Sequence, residues 1–132
     1  MSVQTETTDQ QATRQFAIEA ARLAANTRCH NVVLLDVRGI SPVTDYLVIA
    51  TGTSPRQMRT VCDDLAEWAG ERGVRPFNSD ITESESWMLI DFVDVVVHVF
   101  NTESRSFYDL DGLWGDAQRV PWNEAPAAPA AS

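Results

Sequence analysis

Lysine is absent from this 132-residue chain, and all ten of its cationic side chains are arginine. Against nineteen carboxylates they leave a net charge of −9 at pH 7. Backbone-led binding to nucleic acid needs clustered Lys and Arg to neutralise phosphates, so direct nucleic-acid recognition is not expected. Cysteine is also scarce. Cys29 and Cys62 are too few for a disulfide scaffold and lack metal-ligand spacing, so two reduced, mostly buried thiols are expected. No segment has the roughly 20 apolar residues of a membrane-spanning helix. The first ten residues, M-S-V-Q-T-E-T-T-D-Q, carry acids and no apolar core, so no signal peptide and a cytoplasmic location are expected.

What the chain does have is one dense apolar run, W-M-L-I-D-F-V-D-V-V-V-H-V-F, from Trp87 to Phe100. Its valines and isoleucine are stiff at the first side-chain torsion and favour a pleated surface. The run reads as two strands, 86–91 and 94–100, folded antiparallel at Phe92-Val93. With Asp91 opposite Asp94, Leu89 opposite Val96 and Trp87 opposite His98, one side collects Trp87, Leu89, Val96 and Phe100 beside Asp91, Asp94 and His98. Met88, Ile90, Val95 and Val97 fall on the other side, because side chains alternate with period two. The second side is purely apolar and suits helices. The first has an aromatic and aliphatic centre with an acidic rim, the composition of a partner-binding surface. The same face could equally be covered by the chain's own last helix.

Charge distribution is compatible with a basic partner, although acidic charge more often serves solubility alone. Residues 80–124 hold ten acids against Arg105 and Arg119, a net −8, while residues 1–79 are nearly neutral at −1. A surface of that kind is complementary to a basic protein.

A 44% hydrophobic fraction over this length fits a single domain. Residues 1–8 are expected to be disordered. From Asp9 to Thr27, Phe16, Ala20, Leu23 and Ala24 share one helical stripe. Residues 31–37 and 47–50 read as buried strands, and the short connection between them predicts antiparallel neighbours. Then T-G-T-S-P-R-Q signals a helix start, with Ser54 as N-cap, Pro55 at the first helical position and Gln57 completing a capping box. That helix buries Met58, Val61, Leu65 and Trp68 and stops by Gly73. Arg75 to Asn78 suggests a short strand, and Ser79 to Glu85 an acidic loop. Residues 106–117 space Phe107, Leu110, Trp114 and Ala117 as one helix. There Arg105, Phe107, Tyr108 and Trp114 read first as contacts covering the hairpin. The domain is expected to span 9–118, followed by a flexible tail over 119–132.

An enzymatic alternative is a metal-assisted nucleotidyl transfer. The turn after Gly52 would hold phosphates at the Ser54 helix terminus, aided by Arg56 and Arg59, with Asp91 and Asp94 as metal ligands. No third carboxylate is fixed beside that pair by sequence, and a capped helix explains the glycine more simply. His30 and His98 lack metal spacing. His98, between two valines, reads as a packed and hydrogen-bonded group, and no nucleophile has an assignable base.

Three blocks carry a resemblance: D-Y-L-V-I-A-T-G-T-S-P-R-Q (Asp45 to Gln57), the Trp87 run, and R-S-F-Y-D-L-D-G-L-W-G-D-A (Arg105 to Ala117). In order and spacing they resemble the ribosomal silencing factor, or Iojap, family over about residues 10–118. The resemblance implies an α/β (α+β) domain, with a mixed sheet of about five strands flanked by helices in a nucleotidyltransferase-like topology but without that activity. It implies no cofactor. It implies binding to large-subunit ribosomal protein fourteen, blocked subunit joining, repressed translation during starvation, and a homodimer when free. Tyr46, Trp87, Leu89, Asp91, Asp94, His98 and Phe100 match the family's recurrent residues, and with Val96 they form the expected partner-binding set. Two features depart from the family pattern. Residues 76–86 contain no glycine where Glu-Gly is usual, and Val93 stands where the hairpin turn usually has Gly.

Overall fold

A computed structural model describes residues 8–77 and 86–123. Its elements run α1 (Thr8–Asn26), β1 (His30–Asp36), β2 (Tyr46–Thr51), α2 (Pro55–Glu71), β3 (Trp87–Asp91), β4 (Val95–Phe100), α3 (Thr102–Tyr108), α4 (Leu110–Leu113) and β5 (Gln118–Arg119). The strands make one mixed sheet in the order β3-β4-β2-β1-β5. β1 and β2 pair antiparallel, as the short connection between them requires, and β2 and β4 pair in parallel. All six residues of β2 are buried, because this central strand has packed layers on both faces. None of the described helices is long and apolar enough to cross a membrane.

Two apolar clusters sandwich the sheet. On one face α1 lays Ala17, Ala20, Ala21 and Ala24, all wholly buried, against Tyr46, Val48 and Ala50 of β2. Small side chains let helix and sheet approach closely. α2 adds Met58, Val61, Cys62, Leu65 and Ala69 to the same cluster. Its start matches the sequence signals. Ser54 Oγ accepts from Gln57 N–H at 3.0 Å, and Gln57 Oε1 reaches back to Thr53 N–H at 2.9 Å. A cap of this kind contributes about 1 kcal/mol. On the opposite face Leu35, Val37, Leu47, Ile49 and Phe100 form the second cluster, flanked by Trp87, Val96, Leu110 and Trp114.

Three expectations are corrected. The helix foreseen over 106–117 is two short helices, because Asp109 takes a left-handed conformation (φ 49°) and its carboxylate caps Gly112 N–H. A Cβ at Gly112 would meet that carboxylate and displace it from its capping position. Residues 75–77 form no strand; Phe77 N–H donates to Asp91 O at 2.6 Å at the sheet edge. The stretch foreseen as a tail is folded as far as Asn123. Gln118 and Arg119 pair with β1, Val120 is 4% exposed, and Trp122 donates its indole N–H to Val32 O at 3.1 Å. The acidic loop, residues 1–7 and residues 124–132 lie outside the described residues.

Candidate protein-docking face

The hairpin forms where the apolar run predicts, in a register two residues away. Asp91 pairs with Val96, Leu89 with His98 and Trp87 with Phe100. The turn is centred on Val93-Asp94, not Phe92-Val93. Asp91 Oδ1 captures Val93 N–H at 2.7 Å, and the Asp94 carbonyl accepts the Asp45 and Tyr46 amides at 3.0 and 3.1 Å. Asp94 is thereby fixed against the entry to β2. An even slip preserves every face. Trp87, Leu89, Asp91, Val96, His98 and Phe100 therefore still share one side, with Met88, Ile90, Val95 and Val97 on the other.

Asp94 leaves the expected set. It sits in the turn and lines a groove of about 440 Å³ beside Phe16, Val74 and Phe92 on the α1 side. The Asp45 carboxyl is held above its ordinary value, first by burial and then by the Asp94 carboxylate. Asp91 and Asp94 are thus turn neighbours with separate surroundings, and do not form a facing pair. Tyr46 is displaced further: it is 1% exposed and belongs to the α1-covered cluster on the opposite face. The parallel register Tyr46↔Val95 puts it there.

Of the remaining expected residues, Phe100 is wholly buried and His98 is 9% exposed. They act as the floor. Trp87 lies on that floor, its ring stacked 5.1 Å from Phe100, and its indole N–H donates to His98 Nδ1 at 3.1 Å. A neutral imidazole accepting at Nδ1 carries its proton on Nε2. Burial pushes the His98 pKa down to about 4, against a weaker upward pull from Asp91.

Trp87, Leu89, Asp91 and Val96 are half-buried, and all four keep part of their surface open. Among the described residues, the chain's own helix α3 covers one end of the face. Tyr108 of α3 packs 4.8 Å from Trp87 and 5.9 Å from Phe100. Phe107, expected to cover the hairpin, is instead 80% exposed and meets Tyr108 edge-on at 5.0 Å; Leu113 of α4 is 71% exposed. The apolar strip therefore runs from Leu89 and Val96 through Trp87 and Tyr108 to Phe107. Exposed apolar surface of this extent, bordered by Asp91, is characteristic of protein contact sites. A single-helix pattern masked Phe107, because it assigned that residue to the same stripe as Leu110 and Trp114.

Arg105 holds the covering helices. Its Nε and Nη2 grip both Asp111 oxygens at 2.9 Å, while Nη1 donates to Asn31 O at 2.8 Å and Thr51 Oγ1 at 2.9 Å. The guanidinium bonds keep the Asp111 carboxyl below its usual range.

The possible phosphate turn is occupied by its own chain. Gly52 N–H donates to Phe100 O at 2.7 Å, Thr53 N–H to Gln57 Oε1 at 2.9 Å, and Gln57 N–H to Ser54 Oγ at 3.0 Å. A Cβ at Gly52 would collide with the Met58 side chain, so close packing explains this glycine. Among the described residues no cluster of His, Cys, Asp and Glu could hold a metal ion. Cys29 and Cys62 are free and buried, and burial pushes the Cys62 thiol up to about 12.

Comparison with known proteins gives consistent matches. A family profile described as "Ribosomal silencing factor during starvation" matches residues 10–132. The ribosomal silencing factor of Bacillus subtilis is 38% identical over 98 residues, covering 74% of this chain and 83% of that protein. The chloroplastic protein Iojap of Arabidopsis thaliana is 30% identical over 80% of this chain, which spans 44% of that longer protein. Among solved structures, a Chromobacterium violaceum protein superposes with a TM-score of 0.70 at 30% identity, covering 92% of this chain and 98% of that one. A Bacillus halodurans protein does so with a TM-score of 0.67 at 33% identity, covering 84% and 98%.

Proposed function

This chain belongs to the ribosomal silencing factor family, and from that premise we propose that it represses translation by docking on the large ribosomal subunit and obstructing the small one. The observation that supports this reading is the open strip of Trp87, Leu89 and Val96 beside Asp91, in a segment of strong negative charge. Its partner is a basic protein of that subunit, ribosomal protein fourteen, engaged during starvation. Trp87, Leu89 and Val96 exclude water at the centre of the contact, and Asp91 pairs with an arginine or lysine at its edge. Asp94 adds to the field that steers association. His98 and Phe100 support Trp87 from below, and Tyr46 supports the sheet from behind.

The action is steric and cytoplasmic, with no catalytic step, no cofactor and no direct reading of nucleic acid. When free, the protein hides the same strip in a homodimer, so concentration governs how much docking surface is available.

Subunit joining followed by light scattering tests the reading. Purified large subunits preincubated with the chain should join small subunits more slowly and to a lower amplitude, and Trp87→Ala should restore joining. Unaltered joining at saturating protein would refute obstruction.

A further inference from the structure

The tip of the β3–β4 hairpin holds a side chain that the fold itself does not require. Val93 has φ +76°, a region that β-branched residues resist. Asp94 N–H donates to Phe92 O at 3.0 Å across it, which closes the rare, strained form of the three-residue γ-turn. Surrounding bonds enforce that shape. Asp91 Oδ1 accepts Val93 N–H at 2.7 Å, and Phe92 N–H donates to Val95 O at 2.8 Å. The Asp94 carbonyl, bonded to the Asp45 and Tyr46 amides, pins the far side to β2. Glycine would adopt this backbone without steric strain. Burial gives no reason for valine either: Val93 is 48% exposed and belongs to neither apolar cluster.

We propose that Val93 is a specificity-determining contact of the docking face, an apolar knob that enters an apolar recess bordered by arginine or lysine on the basic partner. The inference rests on the docking reading above. Charge complementarity supports the choice of partner, since the Asp91 carboxylate bonds the Val93 amide and exposed Asp94 follows in the same turn. Position supports it as well. Asp91 pairs with Val96 at the end of the open strip, so the tip continues that strip beyond the sheet. Backbone strain maintained around an outward-facing side chain is typical of contact sites, where the geometry serves something outside the fold. In this arrangement Asp91 is also a positioning residue, because one of its oxygens fixes the amide of the knob.

The test compares the full-length chain with Val93→Gly, Val93→Asn and Trp87→Ala, each titrated with purified large ribosomal subunits and melted thermally. Asn tolerates positive φ and keeps side-chain bulk while removing the apolar surface. Both Val93 variants should melt at or above the wild-type temperature yet bind about fivefold more weakly, the loss expected for removing a half-exposed valine from a contact. Val93 variants that bind like wild type, alongside a Trp87→Ala that does not, would overturn the knob and leave the docking face standing. A Val93→Gly melting point several degrees below wild type would assign the side chain to the fold and overturn it too. Wild-type binding by Trp87→Ala would remove the docking face, and this inference with it.

Discussion

The indole N–H of Trp87 donates to Nδ1 of His98 across 3.1 Å, on a diagonal between the edge strand and its neighbour. The half-buried residue at the centre of the docking strip is thus held in place by a buried imidazole whose pKa burial has lowered to about 4. The indole can donate only while Nδ1 is unprotonated.

Burial of this imidazole makes stability depend on pH in a definite direction. The folded state keeps His98 neutral, whereas the unfolded chain protonates near its ordinary 6.5. The stability contribution is therefore complete above pH 6.5 and lost as pH falls towards about 4. Over that window the loss is roughly 3 kcal/mol. Urea unfolding at pH 7 and pH 5 should show a falling midpoint, and His98→Phe should flatten the part of the slope between pH 6.5 and 5. A slope that His98→Phe leaves intact would assign it to other groups.

Trp87→Phe separates the hydrogen bond from the ring. It keeps an aromatic side chain on Phe100 and leaves buried Nδ1 without its donor, at a cost of about 1–3 kcal/mol. Chemical denaturation should register that loss, while binding to large subunits falls less than for Trp87→Ala.

Arg105→Ala should release α3 and α4 from the sheet. It removes four hydrogen bonds at 2.8–2.9 Å, including both to Asp111. Amide hydrogen exchange should accelerate over residues 102–113 more than over α2. The Asp111 carboxyl adds an acid limb, because its folded pKa lies below the ordinary 3.8. Its contribution is present above that value and is lost as pH falls through the depressed one.

Gly52→Ala should destabilise by about 1–3 kcal/mol through overpacking on Met58. Calorimetry of the variant distinguishes a packing glycine from one that frees backbone for an anion, which would tolerate alanine thermally.

Local signals in the sequence carried much of this architecture. Period-two alternation separated the faces of the hairpin, and an even register slip could not mix them, which is why the Trp87, Leu89 and Val96 strip was legible. Ser54, Pro55 and Gln57 marked the start of α2 because capping is chemistry within a few residues. Non-local geometry was not legible. Nothing near Tyr46 reveals that its parallel partner is Val95, which turns it towards α1. Likewise a left-handed Asp109 splits an otherwise regular helical pattern, and this exposes Phe107. Trp122 finds its partner ninety residues away at Val32, so the pattern around it looked empty.

The most direct test of the docking face is an equilibrium titration of purified large ribosomal subunits with wild-type chain, Trp87→Ala and Asp64→Ala, the last on the exposed side of α2. Trp87→Ala should weaken binding by about 30-fold, the consequence of truncating an anchor that contributes ~2 kcal/mol, while Asp64→Ala should match wild type. Equal affinity for all three would contradict the account.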